Sequence, residues 1–174
     1  MRTMNSETNC DTSIMTDYSS LRSEVQKVEW QKLPLLAQVD LTTKIIRKLP
    51  DRFHEALKML MYVLSVSVAR LSELMPMSER TIYRYLSGEV ETRDPDRIAM
   101  FCVALHLPSA LSSALLETAG ISLRSKVEED VMLRAVLESM YRTSVDCVRK
   151  ELIKVNYPRI SKWPVEIIDE PSVV

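Results

Sequence analysis

The sequence predicts an all-α protein, and three observations carry that expectation. Only 2 of the 174 residues are glycine, against a usual share of about 7%, so the many tight turns of a β-sandwich or barrel are undersupplied. Aromatic residues make up 6% of the chain while methionine reaches 10, a poor supply of the side chains that strands favour. Apolar residues recur three and four apart between residues suited to begin and end helices. A length of 174 residues fits one domain, or a small domain with an appendage.

Residues 1–20 are rich in Ser, Thr, Asn and Asp and predict a disordered tail, because they offer little apolar surface to offset ordering. Residues 21–49 form an arm of unassigned shape. Leu21, Val25 and Val28 make a short helical face, while the period over Leu41 to Leu49 is ambiguous. From Pro50 the pattern sharpens. Asp51 is suited to cap a helix whose stripe is Phe53, Ala56, Leu57, Leu60 and Leu64. Ser67 caps a short second helix through Leu74. Met75-Pro76-Met77 interrupts it, since proline disfavours helical geometry in the residue before it. Ser78 caps a third helix to about Leu86, and Gly88 suits the left-handed position that ends it.

Asp94 followed by Pro95 is an N-cap with proline at the first helical position. Ile98, Phe101, Cys102 and Leu105 give that fourth helix its apolar face. Pro108 begins a fifth, with Leu111, Leu115, Leu116 and Ala119, closed by Gly120. The region 50–120 is thus a five-helix domain. A two-helix extension covers 121–158. Its first helix opens on a capping box, Ser125-Lys126-Val127-Glu128, and carries Met132, Leu133, Val136, Leu137, Met140 and Tyr141. Its second is capped by Ser144, carries Val145, Val148, Leu152 and Val155, and stops at Pro158. Residues 159–174 predict an irregular tail. Glu128, Glu129 and Asp130 suit the first turn of a helix, where the macrodipole favours acids.

Two short helices joined by a three-residue break inside a five-helix unit make a helix-turn-helix arrangement. The second helix of such a pair keeps an apolar inner face, here Ile82 with Tyr85 or Leu86. Its outer face needs polar groups able to reach bases and phosphates. The expected outward positions are Glu79, Arg80, Thr81, Tyr83 and Arg84. Ser67 and Ser78 act as caps, at helix ends where backbone N–H groups can also hold a phosphate.

The run SVARLSELMPMSERTIYRYLSGE, Ser67 to Glu89, resembles the phage-repressor/Cro-type helix-turn-helix family, also called the xenobiotic-response-element family. Ser67, Leu71, Ser78, Thr81, Ile82 and Gly88 fall without a gap on that family's pattern. FCVALHLP, from Phe101, looks like its fourth helix. LLETAGISLR, from Leu115, resembles a tail found in bacterial members with further helices. The resemblance spans about residues 51–120 and implies sequence-specific DNA binding as a bacterial- or phage-type transcriptional regulator. The DNA-binding residues it implies are Ser67, Ser78, Arg80, Thr81, Tyr83 and Arg84. Helix 78–86 would enter the major groove of double-stranded DNA, and a homodimer would read two half-sites, with the C-terminal helices as the expected dimer surface.

Three positions depart from the family. Val68 stands where a glutamine often touches phosphate, Pro76 where the turn carries glycine, and Met61 where a phosphate-binding arginine is frequent. Residues 79–97 hold four arginines against five acids, a weak balance for a surface that neutralises phosphates. Residues 41–70 compensate with a net of +4 from Lys44, Arg47, Lys48, Arg52, Lys58 and Arg70 against Asp51 and Glu55. These departures and the acidic loop 89–96 motivate the alternative, a helix-turn-helix protein–protein module that regulates without touching DNA.

Other function classes have little support in the sequence. No P-loop, HExxH or local nucleophile motif is present, so neither an enzyme nor a cofactor is expected. Three cysteines and two histidines form no CxxC pair and supply no metal site. Cys102 and Cys147 are expected in the core, the histidines at the surface. Reduced thiols and the lack of a secretory or membrane-spanning apolar run make the expected compartment cytoplasmic, with no membrane partner.

Overall fold

The computed structural model describes residues 9–28 and 32–164, and for residues 9–17 the backbone only. Among the described residues the chain is all-α. It comprises α1 (Asn9–Lys27), α2 (Leu35–Lys48), α3 (Phe53–Val63), α4 (Val68–Leu74), α5 (Glu79–Leu86), α6 (Pro95–Ala104), α7 (Ser109–Thr118), α8 (Glu128–Ser139) and α9 (Val145–Lys154). A 3-10 turn, Ile160–Lys162, follows.

The region 50–120 holds five helices, α3 to α7, as expected. Their core is nearly continuous around α3, where Phe53, Ala56, Leu57, Met59, Leu60, Met61 and Val63 are all buried. α3 packs on α5 and α7, and α6 on α7. Phe101 of α6 receives the ring edges of Phe53 and Tyr85, with centroids 6.2 and 5.5 Å away. One hydrophobic cluster extends from Tyr18 to Trp163 and joins all nine helices.

Several expectations about the flanks are corrected. Residues 9–20 belong to α1 rather than to a disordered tail; residues 1–8 lie outside the described residues. One stripe, Tyr18, Leu21, Val25 and Val28, runs along α1 and its end and packs on the core, with α1 lying against α3. Arg22 Nε and Gln26 Nε2 also donate to Ser65 Oγ beyond the end of α3, at 3.1 and 2.7 Å. The unassigned arm is the rest of α1 together with α2, whose Leu41, Thr42 and Ile45 are buried. Asp51 does not cap α3. Arg52 holds that position without a side-chain bond, so the burial of Phe53 sets the start.

The capping box at Ser125–Glu128 does not form either. Val127 occupies the N-cap, and Asp130 reaches back past it to accept from the Arg124 N–H and Nε at 3.0 and 3.1 Å. Val155 and Cys147 are exposed rather than buried. The tail from residue 159 is anchored as far as Trp163, whose side chain is only 1% exposed; residues 165–174 lie outside the described residues. On the two helices expected to form a dimer surface, an inner stripe packs within the chain while Val131, Ile153 and Val155 stay exposed. Leu133, Val136 and Leu137 are buried, with Met132 and Met140 packed against the same core.

Candidate nucleic-acid interface

α4 and α5 pack together and are joined by a turn built on Pro76. Proline cannot adopt the positive φ of a turn glycine. The chain closes instead through a three-residue turn, with the Met77 N–H donating to the Met75 carbonyl at 2.8 Å. Met75 and Met77 are both buried, so the turn is pinned from each side of the proline. Ser67 Oγ accepts from the Arg70 N–H, and Ser78 Oγ from the Thr81 N–H, at 3.1 and 3.3 Å. Both serines therefore cap as expected, and each hydroxyl has a backbone partner.

α5 divides sharply between its two faces. Ile82, Tyr85 and Leu86 are buried. Thr81, expected to point outward, is only 6% exposed, and its hydroxyl lies 3.0 Å from Ser78 Oγ. It stands at the helix start, turned inward with Ser78 rather than to solvent. Glu79 and Arg80 are exposed, and Tyr83 is 57% exposed. Arg84 is partly exposed, and its Nε lies 3.2 Å from Glu89 Oε1 just beyond the helix. The structure thus brings Arg80, Tyr83 and Arg84 to one outer face, with Arg84 already held by an acid.

The charge around this face differs from the sequence sum. Asp96, one of the five acids between residues 79 and 97, is fully buried. Its Oδ1 accepts from Tyr157 Oη at 2.6 Å and Trp163 Nε1 at 2.9 Å, while Arg159 Nε lies 2.9 Å from Oδ2. Burial pushes the Asp96 carboxyl above its ordinary range, against those hydrogen bonds and the Arg159 charge. Asp94 caps α6 through the Asp96 N–H and pairs with Lys162 at 3.3 Å. The surface near α5 therefore presents four arginines against four acids, one of them matched by Lys162. This role of the C-terminal segment escaped the sequence reading. A Trp and a Tyr close to an Arg, after the last helix, were its only signal.

The basic stretch 41–70 does not gather into one patch. Lys44 pairs with Glu24 and Asp40 at 3.3 and 3.2 Å, and Arg70 with Glu73 at 2.7 Å. α2, which carries three of its cations, packs on α1 and α7. Of its cations, Arg52 and Lys58 lie on or beside α3 and Arg70 on α4, the two helices that pack on α5. Met61, at the position where the family carries an arginine, is buried. No group of three metal-ligating side chains occurs among the described residues, and no described helix is long and apolar enough to cross a membrane. Cys102 is buried, and burial pushes its thiol up to about 12, far from the range of a reactive thiolate. No protein-family model, no curated protein and no solved structure matches this chain.

Proposed function

We propose that this chain is a sequence-specific DNA-binding regulator that places α5 in the major groove. The observation that carries the reading is the division of α5. Its inner face is spent on the core, while Arg80, one turn before Arg84, and Tyr83, next to it, stand in solvent. A short, capped helix presenting an arginine fork and an aromatic ring suits readout of base edges and phosphates. Arg80 is exposed, carries no ion pair among the described residues, and is the first base-contact candidate. Arg84 would exchange Glu89 for a phosphate, Tyr83 supports, and Thr81, Ser67 and Ser78 act by holding the helix. The gap-free match to the phage-repressor/Cro-type pattern supports the same reading. A homodimer on two half-sites belongs to it.

The second reading, a protein–protein module without DNA contact, draws on a specific feature. Leu35, Leu36 and Val39 of α2 are exposed, Leu36 at 82%, an apolar patch of the kind that marks interaction surfaces. Selection from a random duplex library, with wild type and with Arg80→Ala/Arg84→Ala, separates the two. Enrichment of one motif that the double variant loses is the expected result, and a palindromic motif indicates the homodimer. Absence of enrichment even at low salt, where phosphate contacts are strongest, overturns DNA reading and leaves the protein partner.

A further inference from the structure

Of the five left-handed helix ends among the described residues, four close alike. Val66, Leu107, Ile121 and Tyr157 each follow the left-handed residue and donate N–H to the carbonyl five positions back, the closure that commonly ends a helix. α5 differs. Gly88 takes the left-handed position at φ +75, but the bond to the Arg84 carbonyl comes from Val90, at 3.2 Å, and not from Glu89. Glu89 is thus one extra residue in the turn. Its N–H donates to Ser87 Oγ at 3.4 Å, and that hydroxyl donates to the Arg84 carbonyl at 3.1 Å.

The Glu89 side chain is exposed and fills no part of the core. Its carboxylate stands against Arg84, with Oε1 3.2 Å from Nε. Val90 packs on the core, and a Cβ at Gly88 would stand 3.2 Å from the His54 ring, so the backbone is held on either side of Glu89. The acid and the arginine therefore belong to one closed turn. Pairing them orders little more chain, unlike a pair between long side chains on separate elements.

We propose that Glu89 is an internal competitor for Arg84. It keeps that arginine from gripping DNA of the wrong sequence and releases it only where docking sets a phosphate against the guanidinium. The inference rests on the DNA reading of α5 and adds its regulation. As a pair the two residues are neutral, so the diffuse pull of phosphates on Arg84 is offset by their push on Glu89. A phosphate held at the guanidinium by a correctly docked helix makes a charge-assisted contact that displaces the acid. Base contacts fix that docking, so Arg84 responds to register without reading a base.

Fluorescence anisotropy of the full chain at low salt tests it, with the duplex motif enriched by selection and with a scrambled duplex. Glu91→Gln supplies the baseline. Glu91 is exposed in the same loop and has no ion pair among the described residues, so this variant reports the bare loss of one acid. On the scrambled duplex Glu89→Gln should bind about fivefold tighter than Glu91→Gln, the upper worth of an exposed pair. Adding Arg84→Ala should abolish that gain. Arg84→Ala alone should weaken the motif duplex about tenfold and the scrambled one far less. Thermal unfolding like that of wild type shows that the variants keep the fold. Equal binding by the two glutamine variants overturns the competitor role, as does a Glu89→Gln gain that survives Arg84→Ala. Either result leaves DNA reading standing if wild type still enriches a motif. Absence of any enriched motif overturns DNA reading and this inference with it.

Discussion

Five residues with positive φ end helices among the described residues, yet the chain has only two glycines. Gly88 and Gly120 take the left-handed position after α5 and α7, and Ser65, His106 and Asn156 take it after α3, α6 and α9. Two of the three exceptions have a reason in their side chains. Ser65 accepts from α1, and His106 donates to Tyr141. The two glycine ends were legible in the sequence. The other three were not, because serine, histidine and asparagine do not announce this conformation. The glycines themselves differ. A Cβ at Gly88 would stand 3.2 Å from the His54 ring, whereas at Gly120 it would meet open space. Alanine at either position carries the left-handed penalty of about 1–2 kcal/mol. Gly88→Ala should lose more stability than Gly120→Ala, by the cost of displacing His54. Urea midpoints of the two variants against wild type check the order.

Elements with strong end signals were legible: Ser67, Ser78, Asp94-Pro95 and Ser144 each cap where expected. α1 and α2 were not. Their apolar stripes are narrow and become helical faces only against α3 and α7, a tertiary decision that local period does not report. At α8 the acid that matters is Asp130, not the Ser125 cap. Burial pushes its carboxyl up, but the Arg124 N–H and guanidinium outweigh burial and hold it below its ordinary value. A lowered folded value means stability that is present above the unfolded value and lost as pH falls through the folded one. Asp130→Asn should therefore cost about 1–2 kcal/mol at pH 7, the worth of hydrogen bonds to a charged group. The gap to wild type should close as pH falls below the unperturbed 3.8. Denaturant titrations at pH 7 and near pH 3 read both effects.

Over the whole molecule, α8, α9 and the segment after them close the five-helix unit from outside. The fold class and the α4–α5 spacing were legible because both are local patterns. The engagement of Arg84 by Glu89 and the burial of Thr81 were not, since each depends on which side of α5 the core occupies. Least legible was the seal at Asp96. It joins residues more than 60 positions apart and extends to Asp130, 3.6 Å from Arg159 Nη2. Burial, then the Asp96 carboxylate, push the Tyr157 phenol well above its ordinary range, so it remains a donor. Trp163→Phe keeps most of the apolar filling but removes the Nε1–H bond to a buried carboxylate. It should cost about 1–3 kcal/mol, whereas Trp163→Ala adds a cavity and should cost about 3–5 kcal/mol. Thermal unfolding of the pair separates the hydrogen bond from the packing.

The same seal sets an order on the birth of the fold. Synthesis runs from the N-terminus, so α3 to α7 leave the ribosome while Asp96 still lacks all three of its C-terminal partners. A buried carboxylate without partners is strongly unfavourable, so the first turn of α6 stays open to water at that stage. Only when residues 157–163 emerge can that turn close. The helix that follows α5 is thus completed only by partners made 61 and 67 positions after Asp96, and a nascent chain halted at residue 120 would carry α5 on an unfinished support.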